Sequence, residues 1–171
     1  MFYIFTIELI ANIIITIDLV VIRQENMINK FRSGCPISST LDVVGDKWSL
    51  IIIRDIFIER STFKEFLAGP EGIASNILSQ RLKWLREQDI IDFAYKKGNQ
   101  KVKYYYLTDK GIDLYPCMYE IMAWSQKNID KELDPHTIEW NEKNKHKSDK
   151  VKIREMIANY REHKINLLSA V

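Results

Sequence analysis

The sequence predicts a mostly α-helical fold with a small β-hairpin wing, a winged helix-turn-helix with flanking helices, on three observations. An amphipathic segment, Ile73 to Arg86, follows a shorter helix candidate, two β-rich runs come directly after it, and further helical patterns stand on either side. At roughly 100° per residue, Ala74, Leu78, Leu82 and Leu85 fall on one side of the 73–86 segment. Asn76, Ser79, Gln80 and Lys83 fall on the other. One face is suited to packing; the other carries hydrogen-bonding groups of a length suited to base edges and phosphates.

Each element has its own local justification. Phe2 to Ile22 is strongly apolar and long enough to suggest a membrane span, but Glu8 and Asp18 interrupt it. An acidic residue near a bilayer centre costs roughly 2.5–3.5 kcal/mol, and no basic stretch precedes the segment as a secretory signal would require. Three readings stand: translation starts at Met27 and residues 1–26 are a mis-called start, the segment is a membrane tether, or it packs as an amphipathic helix on the dimer. Asp46 is placed to cap a helix in which Trp48, Ile51, Ile52 and Ile56 recur at helical spacing. Thr62-Phe63-Lys64-Glu65 has the layout of a capping box, so a short helix starts near Phe63 and stops at Gly69-Pro70.

After the 73–86 helix, Ile90 to Tyr95 and Val102 to Leu107 read as strands around a loop from Lys96 to Lys101. Between Phe93 and Thr108 lie Lys96, Lys97, Lys101 and Lys103 and no acidic residue, a local charge of +4 on a chain whose net charge is +2. Such clustering is the electrostatic footprint of a wing that tracks phosphates. Thr108 is placed to cap a helix running toward Asn128. In it Leu114, Cys117, Ile121 and Trp124, beside Tyr115, Met118 and Met122, give more apolar surface than a small winged helix needs for its own core. A partner is implied, and Pro116 predicts a kink or a displaced first turn. Ile129 to Lys150 is charged and interrupted by Pro135, which reads as a linker or a loosely attached helix. Val151, Ile153, Met156, Ile157 and Tyr160 can form one side of a last helix, which either braces a dimer or lies on the surface.

These residues resemble the HxlR-type winged-helix transcriptional regulators of bacteria, relatives of the MarR type, over about Cys35 to Asn128. The resemblance rests on Cys35-Pro36 with Thr40-Leu41-Asp42, Gly45 to Leu50, Leu78-Ser79-Gln80-Arg81-Leu82, Tyr104 to Gly111, and Trp124. It departs at Asp46, where many members carry a second Gly, and at Ala74, where many carry a capping Ser; Ser75 is the substitute candidate for that cap. The resemblance implies a homodimer formed through terminal helices and double-stranded DNA as partner. It also implies a regulatory role for Cys35, against which stands the reading of Cys35 as a small buried packing residue. The domains expected are therefore 1–26, a hydrophobic extension; 27–128, the winged helix-turn-helix; and 129–171, a charged linker and C-terminal helix.

The expected DNA contacts are Asn76 and Gln80 on base edges, since their amides can pair bidentately with adenine. Ser79 and Lys83 are placed for phosphates, Ser75 is a further candidate DNA contact, and Lys96, Lys97, Lys101 and Lys103 form the wing. Arg81 is either a contact or a salt-bridge partner of a nearby acid; Ile77 and Trp84 read as packing. Overall charge, 25 basic against 23 acidic residues, would not by itself suggest nucleic acid. Cys35 and Cys117 fit no zinc spacing and are too few for a disulfide scaffold, which makes a reducing cytoplasm the default. His136, His146 and His163 lack carboxylate or cysteine company at ligand spacing and read as solvated. No metal, cofactor or small-molecule substrate is expected, nor a membrane partner. An enzyme reading lacks parts: there is no glycine-rich phosphate loop, no nucleophile elbow and no recognisable carboxylate pair. The alternative from another class is a winged-helix protein-interaction adaptor, held at a membrane by the first segment, without sequence-specific DNA binding.

Overall fold

The structure, a computed structural model, describes residues 31–170. The apolar segment 1–26, with all three of its readings, lies outside them. The chain divides between Gly45 and Asp46 into two units. In the described part of the first, helix α1 (Pro36–Val44) opens with proline at its first position, where a missing amide hydrogen costs nothing. Cys35 holds the N-cap position without a side-chain cap bond and is exposed. Arg32 pairs with Asp42, and Ile37 and Leu41, one turn apart, face solvent.

The second unit runs through α2 (Ser49–Phe57), α3 (Phe63–Leu67), α4 (Ser75–Glu87), β1 (Ile91–Lys96), β2 (Asn99–Leu107), α5 (Asp109–Ile112), α6 (Tyr115–Asn128), α7 (Pro135–Asn144) and α8 (Asp149–Ser169). This is the expected winged helix-turn-helix, mostly helical with one antiparallel hairpin. Its core gathers Ile52, Ile53, Ile56 and Phe57 of α2, Phe66 of α3, Leu78, Leu82 and Leu85 of α4, and Ile90, Ile91, Leu107 and Ile112 around the hairpin. Each such side chain contributes roughly 1.5–3 kcal/mol on burial. The buried stripe of α2 is thus shifted from the expected one. Trp48 and Ile51 are only half-buried, while Ile53 and Phe57 go inside.

Asp46 does grip the start of α2, although two residues upstream of its N-cap position. Its Oδ1 accepts from the backbone N–H groups of Trp48 (2.9 Å) and Ser49 (3.1 Å). The capping box forms as expected: Thr62 Oγ1 accepts from the Glu65 amide at 3.4 Å, and Glu65 accepts from the Thr62 amide at 2.8 Å. Helices α2 and α4 both end on a left-handed residue, Glu59 (φ 70°) and Asp89 (φ 57°), each followed by an amide that reaches back five residues. Glycine usually occupies that position, so both ends carry a non-glycine side chain at some cost.

The first strand is shifted by one residue from the expected one, and the second is longer. They extend to Lys96 and Asn99, which leaves only Lys97-Gly98 in the turn, with Gly98 at φ 79°. Ser61 and Thr62 add a third short segment at the free edge of β2: Thr62 bridges to Tyr104, and the Tyr105 amide donates to the Ser61 carbonyl at 2.7 Å. After the wing the helix breaks into α5 and α6, with Pro116 in the first turn of α6, a displaced first turn of the kind Pro116 predicts. Gly111 lets α5 approach the hairpin, because a Cβ there would lie 2.2 Å from the Ile90 carbonyl oxygen.

The tail is more ordered than a linker. Pro135 stands at the first position of α7, where proline starts a helix instead of ending one, and Asp134 caps it by accepting from the Thr137 amide at 3.0 Å. Trp140 meets Tyr119 edge to face at 6.3 Å, and Asn141 donates to Gln126 at 3.1 Å. In α8, Tyr160 is buried: its ring lies 4.9 Å from Phe57, and its hydroxyl accepts the Leu107 backbone N–H at 2.8 Å. Val151, Ile153, Met156 and Ile157 are half-buried on the same helix. His136 and His146 are exposed, but His163 is half-buried beside the Tyr160 ring, with Nδ1 3.5 Å from Glu59, and so departs from the solvated expectation. Among the described residues no helix is long and apolar enough to cross a membrane.

Candidate nucleic-acid interface

The two helices of the candidate interface are α3 and α4, and ion pairs fix the turn between them. Arg54 of α2 holds Glu71 through two bonds, 2.6 and 3.1 Å, and also reaches buried Asp55 at 2.6 Å. Arg60 completes the group at 3.2 Å from Asp55. The Arg54 hydrogen bond holds the Glu71 carboxyl below its usual range, and its acidic partners push the Arg54 pKa up despite burial. Removing Arg54 would leave the buried Asp55 charge to Arg60 alone, at the longer distance. Sequence reading missed this network, because no local pattern pairs Arg54 with a glutamate seventeen residues on.

Helix α4 then presents two faces. Leu78, Leu82 and Leu85 are buried with 3% exposure or less, while Asn76, Ser79, Gln80 and Lys83 are exposed. Ala74, expected in the core stripe, is exposed instead, because it is the N-cap residue and already outside the helix. It offers no side-chain cap, and Ser75 does not supply one: it stands at the first helical position. The expected capping by Ser75 therefore fails, since a cap must precede the first turn to reach its amides. The Ser75 side chain stays exposed among the candidate contacts. Ser79 donates its hydroxyl to the Ser75 carbonyl at 2.9 Å, which leaves its oxygen as an acceptor. Lys83 is 80% exposed and 3.8 Å from Glu87, a weak surface pair that does not withdraw it from other anions.

Arg81 takes its ion-pair role, 3.2 Å from Asp46. This joins the middle of α4 to the start of α2. Burial pushes the Asp46 carboxyl up, but hydrogen bonds from Ser49 and the Trp48 amide, with the Arg81 charge, bring it below its usual value. Ile77 and Trp84 are half-buried at the flanks.

The end of α4 is tied to the wing through Phe93. The Arg86 guanidinium carbon lies 4.8 Å from the centroid of that ring, Lys103 Nζ lies 4.3 Å from it, and Arg86 also pairs with Asp92 at 3.3 Å. Tyr105 and Tyr95 pack at 5.8 and 5.4 Å on the same side of the hairpin, because residues two apart on a strand share a face. On the opposite side, Lys96 sits 4.5 Å over Tyr104. Lys96, Lys97, Lys101 and Lys103 are all exposed, so the wing carries its four positive charges on an aromatic frame. The role of Arg86 and Phe93 in setting the wing against α4 was not apparent from spacing alone. Among the described residues no group of three His, Cys, Asp or Glu side chains is placed to hold a metal.

A buried leucine stripe, an exposed polar helix face and a cationic hairpin in this order define a winged-helix DNA-binding protein. Residues 43–133 match the HxlR-like helix-turn-helix family, more than half of the chain, and the chain belongs to that family of transcriptional regulators. It is 31% identical over 99 residues to the HTH-type transcriptional regulator YdeP of Bacillus subtilis strain 168, covering 57% of this chain and 77% of YdeP. Among solved structures, PA1607, a candidate transcription factor, is similar at a TM-score of 0.54 and 34% identity, over 60% of this chain and 73% of that one. The redox regulator HypR in its reduced form is similar at 0.51 and 28%, over 56% of this chain and 95% of that one.

Proposed function

We propose that this regulator binds an inverted-repeat operator as a homodimer, with α4 of each copy in successive major grooves and the wings gripping phosphate beside them. The observation that carries the reading is the exposure of Asn76, Ser79, Gln80 and Lys83 opposite a fully packed leucine stripe, next to a lysine-bearing hairpin. Asn76 and Gln80 read base edges; Ser75, Ser79 and Lys83 position the helix on phosphates. The wing lysines add sequence-independent affinity. Self-association is supported by the outer face of α6, where Ile121 and Trp124 stay 48% and 61% exposed, more apolar surface than a monomer gains from presenting to water.

Selecting bound sequences from a random duplex pool should return an inverted repeat with half-site centres about 10–10.5 base pairs apart or a multiple of that. Replacing Lys96, Lys97 and Lys101 by Ala should weaken binding to all duplexes and flatten its salt dependence, because fewer counterions are released. Gln80→Ala should instead relax preference at one position per half-site by roughly 1–3 kcal/mol. Unchanged salt dependence in the lysine variant would rule out the wing assignment. Failure of the full chain to retain any duplex in a filter-binding assay would favour the protein-interaction adaptor.

Cys35 is the regulatory residue in this reading. Its exposure in the single chain supports an accessible thiol, and HypR, a similar protein, is a redox regulator. Oxidation to a disulfide or an adduct would change the bulk and connectivity of the chain at the start of α1. Diamide should shift operator affinity in wild type and in Cys117→Ser, and should leave Cys35→Ser unaffected. Equal responses in wild type and Cys35→Ser would reject the assignment.

A further inference from the structure

The face of the hairpin opposite the Phe93 stack carries a second row of rings and cations. Tyr104 and Tyr106 are two apart on β2 and so share that face. Lys96 lies over Tyr104, with Nζ 4.5 Å from the ring centroid. Lys164 lies over Tyr106 at 5.4 Å, and it comes from α8, beyond residue 133 where the match to the family ends. The row is built by the wing itself toward the tip and by the C-terminal helix at the base. Helix α8 is aligned with β2 there. Its Tyr160 hydroxyl accepts the Leu107 amide, and Lys164, one turn further on, reaches Tyr106, one residue nearer the wing tip.

The charges around this row are unequally committed. Asp92, opposite Tyr106 in the register, is paired with Arg86 at 3.3 Å, and Asp109 with Arg161 at 3.7 Å. Lys96 and Lys164 make ring contacts and no ion pair among the described residues. An ammonium on a ring face is held by the negative quadrupole of the ring and keeps N–H donors for an anion. Its side chain is already ordered, so it meets a phosphate with less of the rotamer entropy loss that a free lysine incurs.

We propose that Lys164 is a DNA-backbone contact supplied by the C-terminal helix, continuing the lysine row of the wing onto the phosphates that flank each half-site. The partner is duplex DNA, because unpaired ammoniums in a row match a regular line of phosphates and carry no group that distinguishes one base from another. The flanking position follows from the face of the hairpin. Arg86 ties the Phe93 side to α4, so the side bearing Tyr104 and Tyr106 looks away from the groove that α4 occupies. This contact rests on the DNA-binding function proposed above.

The test uses the full chain and a selected operator in two lengths, one ending at the outer edges of the half-sites and one extended by a helical turn, about 10 base pairs, on each side. On the extended duplex Lys164→Gln should weaken binding several-fold. It should also lower the slope of log affinity against log salt by roughly 1.8, about 0.9 for each of the two copies in a dimer. Lys164→Arg keeps the charge and the ring contact and should restore the wild-type slope. On the short duplex wild type and Lys164→Gln should bind alike. A lysine that only braces α8 against the wing would give weaker binding on both duplexes, an unchanged slope and a lower thermal midpoint, and that result overturns the contact. Unchanged affinity and slope on the extended duplex overturn it as well, and a loss of equal size on the short duplex overturns its flanking position. Failure of wild type to bind either duplex would instead remove the DNA-reading function, and with it the contact that rests on it.

Discussion

Tyr160 holds together parts of the chain that are remote in sequence. Its hydroxyl satisfies a backbone amide fifty-three residues away, at Leu107, and its ring fills the space beside Phe57. Burial pushes its phenol up to about 12, so it stays neutral at any physiological pH. Tyr160→Phe keeps the ring and removes only the acceptor, leaving a buried N–H unpaired. The expected loss is roughly 1–3 kcal/mol in denaturant unfolding, seen as a lower midpoint with an unchanged slope. A loss of a few tenths would mean that solvent reaches Leu107 and that the hydroxyl is dispensable. In the sequence Tyr160 stood only as one member of an apolar stripe, because a side chain on a distant helix leaves no local mark of the amide it satisfies.

At the scale of elements, what was legible had local causes. The capping box at Thr62, the alternating hairpin and the two faces of α4 depend on residues two to four positions apart, and all three formed. What was not legible had distant causes: Glu71 held by Arg54, the Ser61 carbonyl paired to Tyr105, and the packing of α7 and α8. The same contrast applies at the candidate interface. The polar face of α4 was visible in its spacing, but the stack of Arg86 and Lys103 on Phe93 required the hairpin to fold back beside the helix. Asp46 lies between the two cases, since its capping was expected and a salt bridge was one reading of Arg81, while the identity of Asp46 as that partner, across thirty-five residues, was not legible. Its folded pKa lies below the ordinary aspartate value of 3.8, so its stabilisation is fully present above that value and is lost as pH falls through the lower, folded one. Asp46→Asn should accordingly cost about 1 kcal/mol at neutral pH, a modest figure because the group is partly exposed. The gap between variant and wild type should close in the most acidic part of a pH series. A gap that stays constant down to acid unfolding would show that the Asp46 charge contributes nothing.

At the scale of the whole molecule, the inner and outer faces of α6 differ in what they need. Tyr115 and Tyr119 are buried within the chain, and Tyr119 donates to Asp149 at 2.5 Å, which anchors α8. Cys117, Ile121 and Trp124, spaced four and three apart on the outer side, are exposed. An indole left 61% exposed beside an isoleucine gains little from the monomer and much from a second copy meeting it across a two-fold axis, where each residue is used twice. Reading an inverted repeat requires such a pairing, since one α4 spans a single half-site. Trp124→Glu places two like charges against each other in that arrangement and removes its largest apolar contact. Sedimentation should then show a shift from dimer to monomer, while circular dichroism and thermal unfolding change little, because the side chain is outside the core. Affinity for a full inverted repeat should fall far more than affinity for an isolated half-site. A Trp124→Glu protein that remains dimeric at low micromolar concentration would place the dimer contact elsewhere and leave the exposed face of α6 for a different partner.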